Sequence, residues 1–149
     1  MTYNEKVKFI SEYLEVVREL KGWDRVLEVK EAPALQITQQ LSPVTVSGSG
    51  GGSKVEKVAV EAYPALIKMR ELEEQRHRMK CQIEAGIAKI DKAVPKNKRY
   101  IDFLQDAYID LQPRKALIAS RWRYNGRNGE KIARRYTALK RASIKALEI

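Results

Sequence analysis

Cationic side chains alternate with aromatic and small ones close to the end of the chain. Residues 121–147 have the sequence RWRYNGRNGEKIARRYTALKRASIKAL. Arginine and lysine side chains pair with phosphates, arginine also forms paired hydrogen bonds with the acceptor edge of guanine, and aromatic rings stack on unpaired bases. These residue types at this density favour a nucleic acid as the ligand.

Helical spacing places the side chains that follow Asn128 on two faces. At about 100° per residue, one face carries Ile132, Tyr136, Leu139 and Ala146. The opposite face carries Arg134, Thr137, Ala138, Arg141 and Lys145. Long cations around a small alanine allow close approach to a polyanion. With the cations and the tyrosine of the preceding turn, the candidate nucleic-acid-binding residues are Arg121, Arg123, Tyr124, Arg127, Lys131, Arg134, Thr137, Ala138, Arg141 and Lys145.

The net charge of +10 is concentrated in the last quarter of the chain. Residues 111–149 hold eleven Lys and Arg against two acids, whereas residues 1–110 hold eighteen against seventeen. A helix face that is only solvated usually mixes acids with bases, and residues 131–147 contain no acid. The distribution favours an anionic partner, with a solvated face as the alternative.

Three helices are predicted to position this surface, in a basic domain of residues 95–149. The first, residues 98–111, has an apolar stripe formed by Ile101, Leu104, Tyr108 and Leu111. The second is predicted at residues 113–122, because proline is tolerated in a first helical turn.

The connection to the third helix contains residues that suit a turn. Asn125 and Gly126 accept left-handed backbone conformations, and Asn128 is placed to cap the helix that follows. This order of parts predicts a helix-turn-helix domain, whose last helix would enter the major groove of DNA. The connection is about three residues longer than in a tight helix-turn-helix, which predicts an unusual crossing angle.

The remainder of the chain is predicted as two helices and a linker. An N-terminal helix in residues 1–31 has one apolar face, formed by Val7, Ile10, Leu14, Val17 and Leu20. Residues 32–53 contain two prolines and the tract SGSGGGS, which predict a flexible linker. The tract also has the composition of linkers in engineered proteins, and both origins stay open at this point.

A long helix is predicted at residues 54–94, with a kink or restart at Pro64. Its inner stripe is apolar at both ends and polar in the middle, and consists of Ala62, Leu66, Met69, Glu73, Arg76, Lys80, Ile83, Ile87, Ile90 and Val94. This stripe suits an antiparallel hairpin with the N-terminal helix or packing between two chains. We therefore expect an all-α fold, in which a helical hairpin or coiled-coil part that forms a homo-oligomer is joined to a trihelical helix-turn-helix domain.

Catalytic or metal chemistry is not expected from this sequence. His77 and Cys81 lie four residues apart on a helix, but they are the only His and Cys of the chain, too few for a zinc site. Three aspartates are expected on an outer helix face, balanced by Lys98, Arg99 and Arg114: Asp102, Asp106 and Asp110. No phosphate-binding loop and no nucleophile beside a base is recognisable. We expect no enzymatic activity, metal or cofactor.

The sequence also predicts a cytoplasmic protein without membrane contact. The single cysteine gives no sign of an oxidising compartment. The N-terminus lacks the apolar core of a signal peptide, and no stretch approaches the roughly 18 apolar residues of a membrane span.

The order of parts resembles a known family. GGSKVEKVAVEAY precedes a charged helix, RYIDFLQDAYID follows it, and a basic helix-turn-helix ends the chain. Over residues 48–149 this pattern resembles the RinA and ArpU group of phage-encoded transcriptional regulators from Gram-positive hosts. The resemblance implies a sequence-specific DNA-binding activator of phage late genes in the host cytoplasm, with double-stranded DNA and host RNA polymerase as partners.

Two other functions remain open on the residues alone. An RNA-binding antitermination factor would use the same basic helix, with Trp122, Tyr124 and Tyr136 stacking on unpaired bases. For Trp122 and Tyr136, packing in the core is the favoured role, and Tyr124, in the turn, is the best candidate for stacking. A helical assembly protein, such as a small terminase component, would depend on the long helices instead.

Overall fold

The part of the chain that the structure describes has an all-α fold, in which turns and irregular segments connect the helices. The computed structural model describes the backbone of residues 1–40 and 52–149 and the side chains of residues 1–26 and 64–149. Five α-helices lie in these ranges: α1 (Tyr3–Gln40), α2 (Gly52–Ala88), α3 (Pro95–Leu104), α4 (Arg114–Ala119) and α5 (Gly129–Ala146). A π-helical segment, Gln105–Ile109, follows α3. The prediction of an all-α fold is confirmed for these ranges, which contain no strand.

The chain divides into two compact units, and their boundary differs from the prediction. Residues 1–14 and 77–149 form the first unit, and residues 15–76 form the second. The predicted basic domain began at residue 95, but its unit also includes the start of α1 and the end of α2. Tyr13 shows why, because its buried hydroxyl donates a hydrogen bond to the carbonyl of Tyr108 at 3.0 Å.

Helix α1 begins with a capping box and ends later than predicted. The backbone N–H of Thr2 donates to Glu5 Oε2 at 2.5 Å, and the N–H of Glu5 donates to Thr2 Oγ1 at 3.4 Å. The Thr2 hydrogen bond lowers the pKa of Glu5. The helix continues to Gln40 and not to residue 31, since the good helix formers Ala34, Leu35 and Gln36 follow the proline there.

The predicted linker therefore lies partly in helices. Residues 32–40 belong to α1, and residues 52 and 53 belong to α2. The remaining residues, 41–51, lie outside the described part of the chain.

The buried face of α1 agrees in large part with the predicted stripe. Among the described side chains of residues 1–26 it includes Ile10, Tyr13, Val16, Val17 and Leu20. Val7 and Leu14, which the spacing also placed there, are only half-buried. The helix passes through Gly22 without ending.

The buried face of α2 corrects the predicted stripe. From residue 64 onward, where side chains are described, the buried residues of α2 and the turn after it are Ala65, Leu72, Met79, Ile83, Gly86, Ile87 and Ile90. Ile83, Ile87 and Ile90 are buried as predicted. Before them the buried stripe lies one position earlier than predicted, since Ala65, Leu72 and Met79 are buried. The predicted inner residues that are exposed are Leu66, Glu73, Arg76 and Val94. The middle of the buried stripe is thus apolar. The helix passes through Pro64 without ending, and the side chain of Ala62 lies outside the described side chains.

A turn that ends α2 sooner than expected leads into α3. Helix α2 stops at Ala88, several residues before the predicted end at residue 94. Asp91 holds the turn, because its Oδ1 accepts from the N–H of Ala93 at 2.9 Å and its carbonyl accepts from Asn97 Nδ2 at 2.8 Å. Pro95 then begins α3, where its missing N–H costs no helical hydrogen bond.

The predicted helix at residues 98–111 is interrupted by the π-helical segment. At the end of this segment the N–H of Asp110 donates to the carbonyl of Gln105 and the N–H of Gln112 donates to the carbonyl of Asp106, each at 2.9 Å. In a regular α-helix the N–H of Gln112 would instead donate to the carbonyl of Tyr108. That carbonyl is therefore available to the hydroxyl of Tyr13. Burial raises the pKa of Tyr108. The segment ends where Leu111 adopts a φ of 53°, a left-handed conformation that few residues other than glycine adopt.

Helix α5 lies along α3, and α4 lies against the π-helical segment. The rings of Phe103 and Tyr136 join α3 to α5 in an edge-to-face contact, with 5.8 Å between centroids. Helix α4 is shorter than the predicted 113–122, since Pro113 is its N-cap and Ala119 its last residue.

The end of α5 is held by the start of α1 and by α2. Lys6 Nζ donates to the carbonyl of Lys145 at 3.1 Å and also to that of Leu147, where a cation complements the helix dipole. A Cβ on Gly86 would lie 3.1 Å from the carbonyl oxygen of Glu148. Glycine at this position allows the last residues to lie close against α2.

Candidate nucleic-acid interface

One exposed side of α5 presents the predicted cationic surface, here called the α5 face. Its residues line an open groove: Glu130, Ala133, Arg134, Thr137, Ala138, Arg141, Ala142 and Lys145. The five residues that helical spacing had assigned to this side are all in the groove and all exposed. Small side chains therefore alternate with long cations along more than three helical turns, with enough room for a polyanion to approach the helix.

The opposite side of α5 is packed, with two differences from the prediction. Ile132 and Leu139 are buried as expected, whereas Tyr136 and Ala146 are half-buried. Tyr136 packs under the guanidinium of Arg114, 5.0 Å from the ring centroid. Ser143 and Ile144 are buried as well. The hydroxyl of Ser143 tolerates burial because it donates to the carbonyl of Leu139 at 2.8 Å.

An ion pair that spans one helical turn lies at the start of the α5 face. Arg134 Nη2 is 2.6 Å from Glu130 Oε1, with about 80% of each side chain exposed. Among the described residues that line the groove, Glu130 is the one acid. An exposed pair of this kind is worth at most about 1 kcal/mol. It nevertheless competes with a phosphate for the same guanidinium.

Removing this acid should strengthen binding to DNA. For Glu130→Gln we expect an affinity about two to five times higher, because the substitution releases Arg134 and removes a charge that repels phosphates. Fluorescence anisotropy with a labelled duplex measures the change. Glu148→Gln, an exposed acid outside the groove, is the matched control. Equal effects of both substitutions would mean that only net charge matters.

Arg141 and Lys145 are oriented by an aromatic ring from the start of the chain. The Arg141 guanidinium lies 5.7 Å and the Lys145 ammonium 5.9 Å from the centroid of Tyr3. Neither cation forms an ion pair with the described residues 1–40 and 52–149. Both charges remain exposed and available to an external anion. No local signal links Tyr3 to this face, because the contact joins opposite ends of the sequence.

The turn before α5 displays three of the candidate residues on a hydrogen-bonded loop. Gly126 takes the left-handed conformation, with φ at 78°. Asn125 Oδ1 accepts from the N–H groups of Arg127 and Asn128, each at 3.1 Å. The loop leaves Arg123, Tyr124 and Arg127 exposed, and the side chain of Tyr124 is 68% accessible.

Asn128 occupies the predicted N-cap of α5, but its side chain does not cap the helix. Its Oδ1 accepts from the N–H of Asn125 at 3.1 Å, and its Nδ2 donates to the carbonyl of Arg123 at 2.8 Å. The amide side chain thus stabilises the turn instead of the helix.

Arg121 differs from the other candidates because its guanidinium is engaged inside the protein. It pairs with Asp106 at 2.7 Å, where only 16% of the arginine side chain is exposed. It also lies over the ring of Phe103 at 5.5 Å and donates to the carbonyl of Leu117 at 3.2 Å. Arg121 was predicted to bind a nucleic acid, but these contacts show that its guanidinium links the segment between α4 and α5 to α3 and α4.

The aspartates and the His–Cys pair have local roles. Asp106 is half-buried against Arg121, and so it does not balance Lys98, Arg99 or Arg114 on an outer face. His77 Nε2 and Cys81 Sγ approach to 3.7 Å on the exposed side of α2. No further His, Cys, Asp or Glu joins either group to form a set of three among the described residues.

Comparison with protein-family models, with curated proteins and with solved structures returned no match. Within residues 1–40 and 52–149, no helix combines the length and the apolar character that a membrane span requires. A functional assignment therefore depends on the chemistry of the α5 face.

Proposed function

We propose that this protein binds double-stranded DNA through the α5 face. The observation that carries the proposal is a groove along one exposed helix, in which three cations surround small residues and the single acid is already paired. Phosphate contacts by such cations supply affinity, and a helix with this surface fits the major groove. Arg134, Arg141 and Lys145 are the residues to which we assign direct contact.

We further propose a helix-turn-helix role for the last two helices. In this arrangement α5 enters the major groove of DNA and α4 is the supporting helix. The phosphate backbone of the DNA beside that groove is contacted by Arg123, Tyr124, Arg127 and Lys131. Their support is their exposure on the loop and the first turn of α5. The resemblance to the RinA and ArpU group extends the proposal to a phage transcriptional activator, with host RNA polymerase as a further partner.

Binding to duplex DNA should show a steep dependence on salt. If three to six of the exposed cations neutralise phosphates, the logarithm of affinity should fall against the logarithm of salt concentration with a slope of about −3 to −5. Fluorescence anisotropy of the full chain with a labelled duplex measures it. Structured RNA as a competitor separates this function from the antitermination alternative, since stronger competition by RNA than by unlabelled duplex would contradict the proposal.

We also propose that the protein is a homo-oligomer, most simply a dimer. The second unit supports this because the adjacent Leu66 and Ile67 on α2 are each 46% exposed, and neighbouring exposed apolar side chains are a feature of protein interaction sites. Two copies would engage two half-sites and gain affinity. Sedimentation should therefore give a mass near twice that of one chain, and Leu66→Lys with Ile67→Lys should reduce it. A monomer at tens of micromolar would exclude this interface.

A further inference from the structure

A second cavity lies beside the α5 face, here called the Trp122 cleft. It opens between α3 and α5 and has an accessible volume of about 600 Å³. Two arginines and two aromatic residues line it, together with Leu139: Arg99, Arg135, Tyr100 and Trp122. Ala138 and Ala142 line both this cleft and the α5 groove, so the two surfaces are continuous.

The charged groups of the Trp122 cleft are free to bind a ligand. Arg99 and Arg135 are exposed and form no ion pair or side-chain hydrogen bond with the described residues. None of the described residues that line the cleft carries a carboxylate. Asp102 and Asp106 lie in an adjoining depression, where Asp106 is paired with Arg121. The cleft is therefore a cationic site to which the described part of the chain supplies no counter-ion.

The aromatic groups are also incompletely used by the fold. Trp122 and Tyr100 are half-buried, so part of each ring faces solvent. The indole N–H of Trp122 has no hydrogen-bond partner among the described residues. By contrast, Tyr136 packs between Phe103 and Arg114. Trp122 is thus the ring of this unit that combines an open face with two neighbouring free cations.

We propose that the Trp122 cleft binds one unpaired nucleotide. The base stacks on the indole of Trp122, and the phosphate lies between the guanidinium groups of Arg99 and Arg135. Aromatic stacking requires an open face of the base, which a base within a duplex does not offer. This site is additional to the proposed duplex contact. The duplex contact uses the α5 face, which lies on the other side of Ala138 and Ala142.

Fluorescence of Trp122 provides a direct test in the full chain. The protein has two tryptophans, and Trp23→Phe leaves Trp122 as the only one. A thymidine dodecanucleotide should quench its emission to saturation. An abasic oligonucleotide with the same number of phosphates should bind roughly five to a hundred times more weakly, since stacking of the base is lost. Equal binding of both oligonucleotides, or no quenching by either, would overturn the proposal.

Substitutions separate the cleft from general electrostatic attraction. Arg99→Gln with Arg135→Gln should weaken binding of the dodecanucleotide about tenfold or more. Lys89→Gln with Lys92→Gln removes the same charge from exposed positions after α2. This variant should change the affinity for the dodecanucleotide less than twofold. Equal losses in the two variants would show that the cleft is not the site.

Two further ligands identify the source of the nucleotide and keep the proposals separate. If thymidine 5′-monophosphate binds as tightly as the dodecanucleotide, as measured by quenching of Trp122, the site is assigned to free nucleotides. If the mononucleotide binds much more weakly, the site is assigned to a single strand. Duplex DNA should leave the Trp122 emission nearly unchanged. The affinity of the protein for duplex DNA is measured separately by anisotropy. Absence of duplex binding would contradict the function proposed for the α5 face and would leave the proposal for the Trp122 cleft unaffected.

Discussion

Arg141→Gln combined with Lys145→Gln should lower the affinity of the full chain for duplex DNA about 30-fold at 0.15 M salt. Each phosphate contact releases roughly 0.9 of a counterion, which is worth a factor of about five at that concentration. Both cations are exposed, lie on the same groove and have no carboxylate partner among the described residues. The slope of log affinity against log salt should become shallower by about 1.8.

The control for this prediction keeps the net charge equal. Lys89→Gln with Lys92→Gln removes two exposed cations of the same compact unit that lie away from the α5 face. This variant should retain most of the affinity, and neither pair of substitutions should change the thermal unfolding midpoint much, because exposed charges contribute little to stability. A similar loss in both variants would place the DNA contact elsewhere.

Phe103→Ala should lower the free energy of unfolding by about 3–5 kcal/mol. Phe103 is fully buried, and its ring meets Tyr108 and Tyr136 edge-on, with 6.4 and 5.8 Å between centroids. The guanidinium of Arg121 lies over the same ring at 5.5 Å. Truncation leaves a cavity where α3, α5 and the connecting segment meet. Urea unfolding followed by far-ultraviolet circular dichroism measures the loss.

Tyr124→Ala is the matched aromatic control for Phe103→Ala. Because Tyr124 is 68% exposed in the turn, its removal should change stability by less than about 0.5 kcal/mol. If Phe103→Ala costs no more than Tyr124→Ala, the packing of α3 against α5 described above does not hold the domain together.

The sequence alone determined the features that depend on local periodicity. The side chains of one helix are arranged by its 3.6-residue period, so the spacing of Arg134, Thr137 and Arg141 sufficed to place them on one exposed side. The same rule assigned Ile132 and Leu139 to the buried side. The left-handed Gly126 and the all-α character of the described residues were also predictable, since both follow from local preferences.

Other features were decided by contacts between residues far apart in the chain. Arg121 was predicted to face a ligand, but Asp106 and Phe103 draw it into the interior. The π-helical segment forms where the carbonyl of Tyr108 meets the hydroxyl of Tyr13. Neither outcome can be read from spacing, because the partner belongs to another element.

The extent of the basic unit was likewise a tertiary result. Tyr3 lies beside Arg141, and Lys6 binds the carbonyl of Lys145, so the start of the chain completes a surface that the charge distribution had assigned to its end. Gly86 accepts the last residues against α2. Helical period determines which side of a helix is apolar, but it carries no information about which distant element will cover that side. Only the contacts of α5 and the residues after it with α3, Lys6 and Gly86 supply that information.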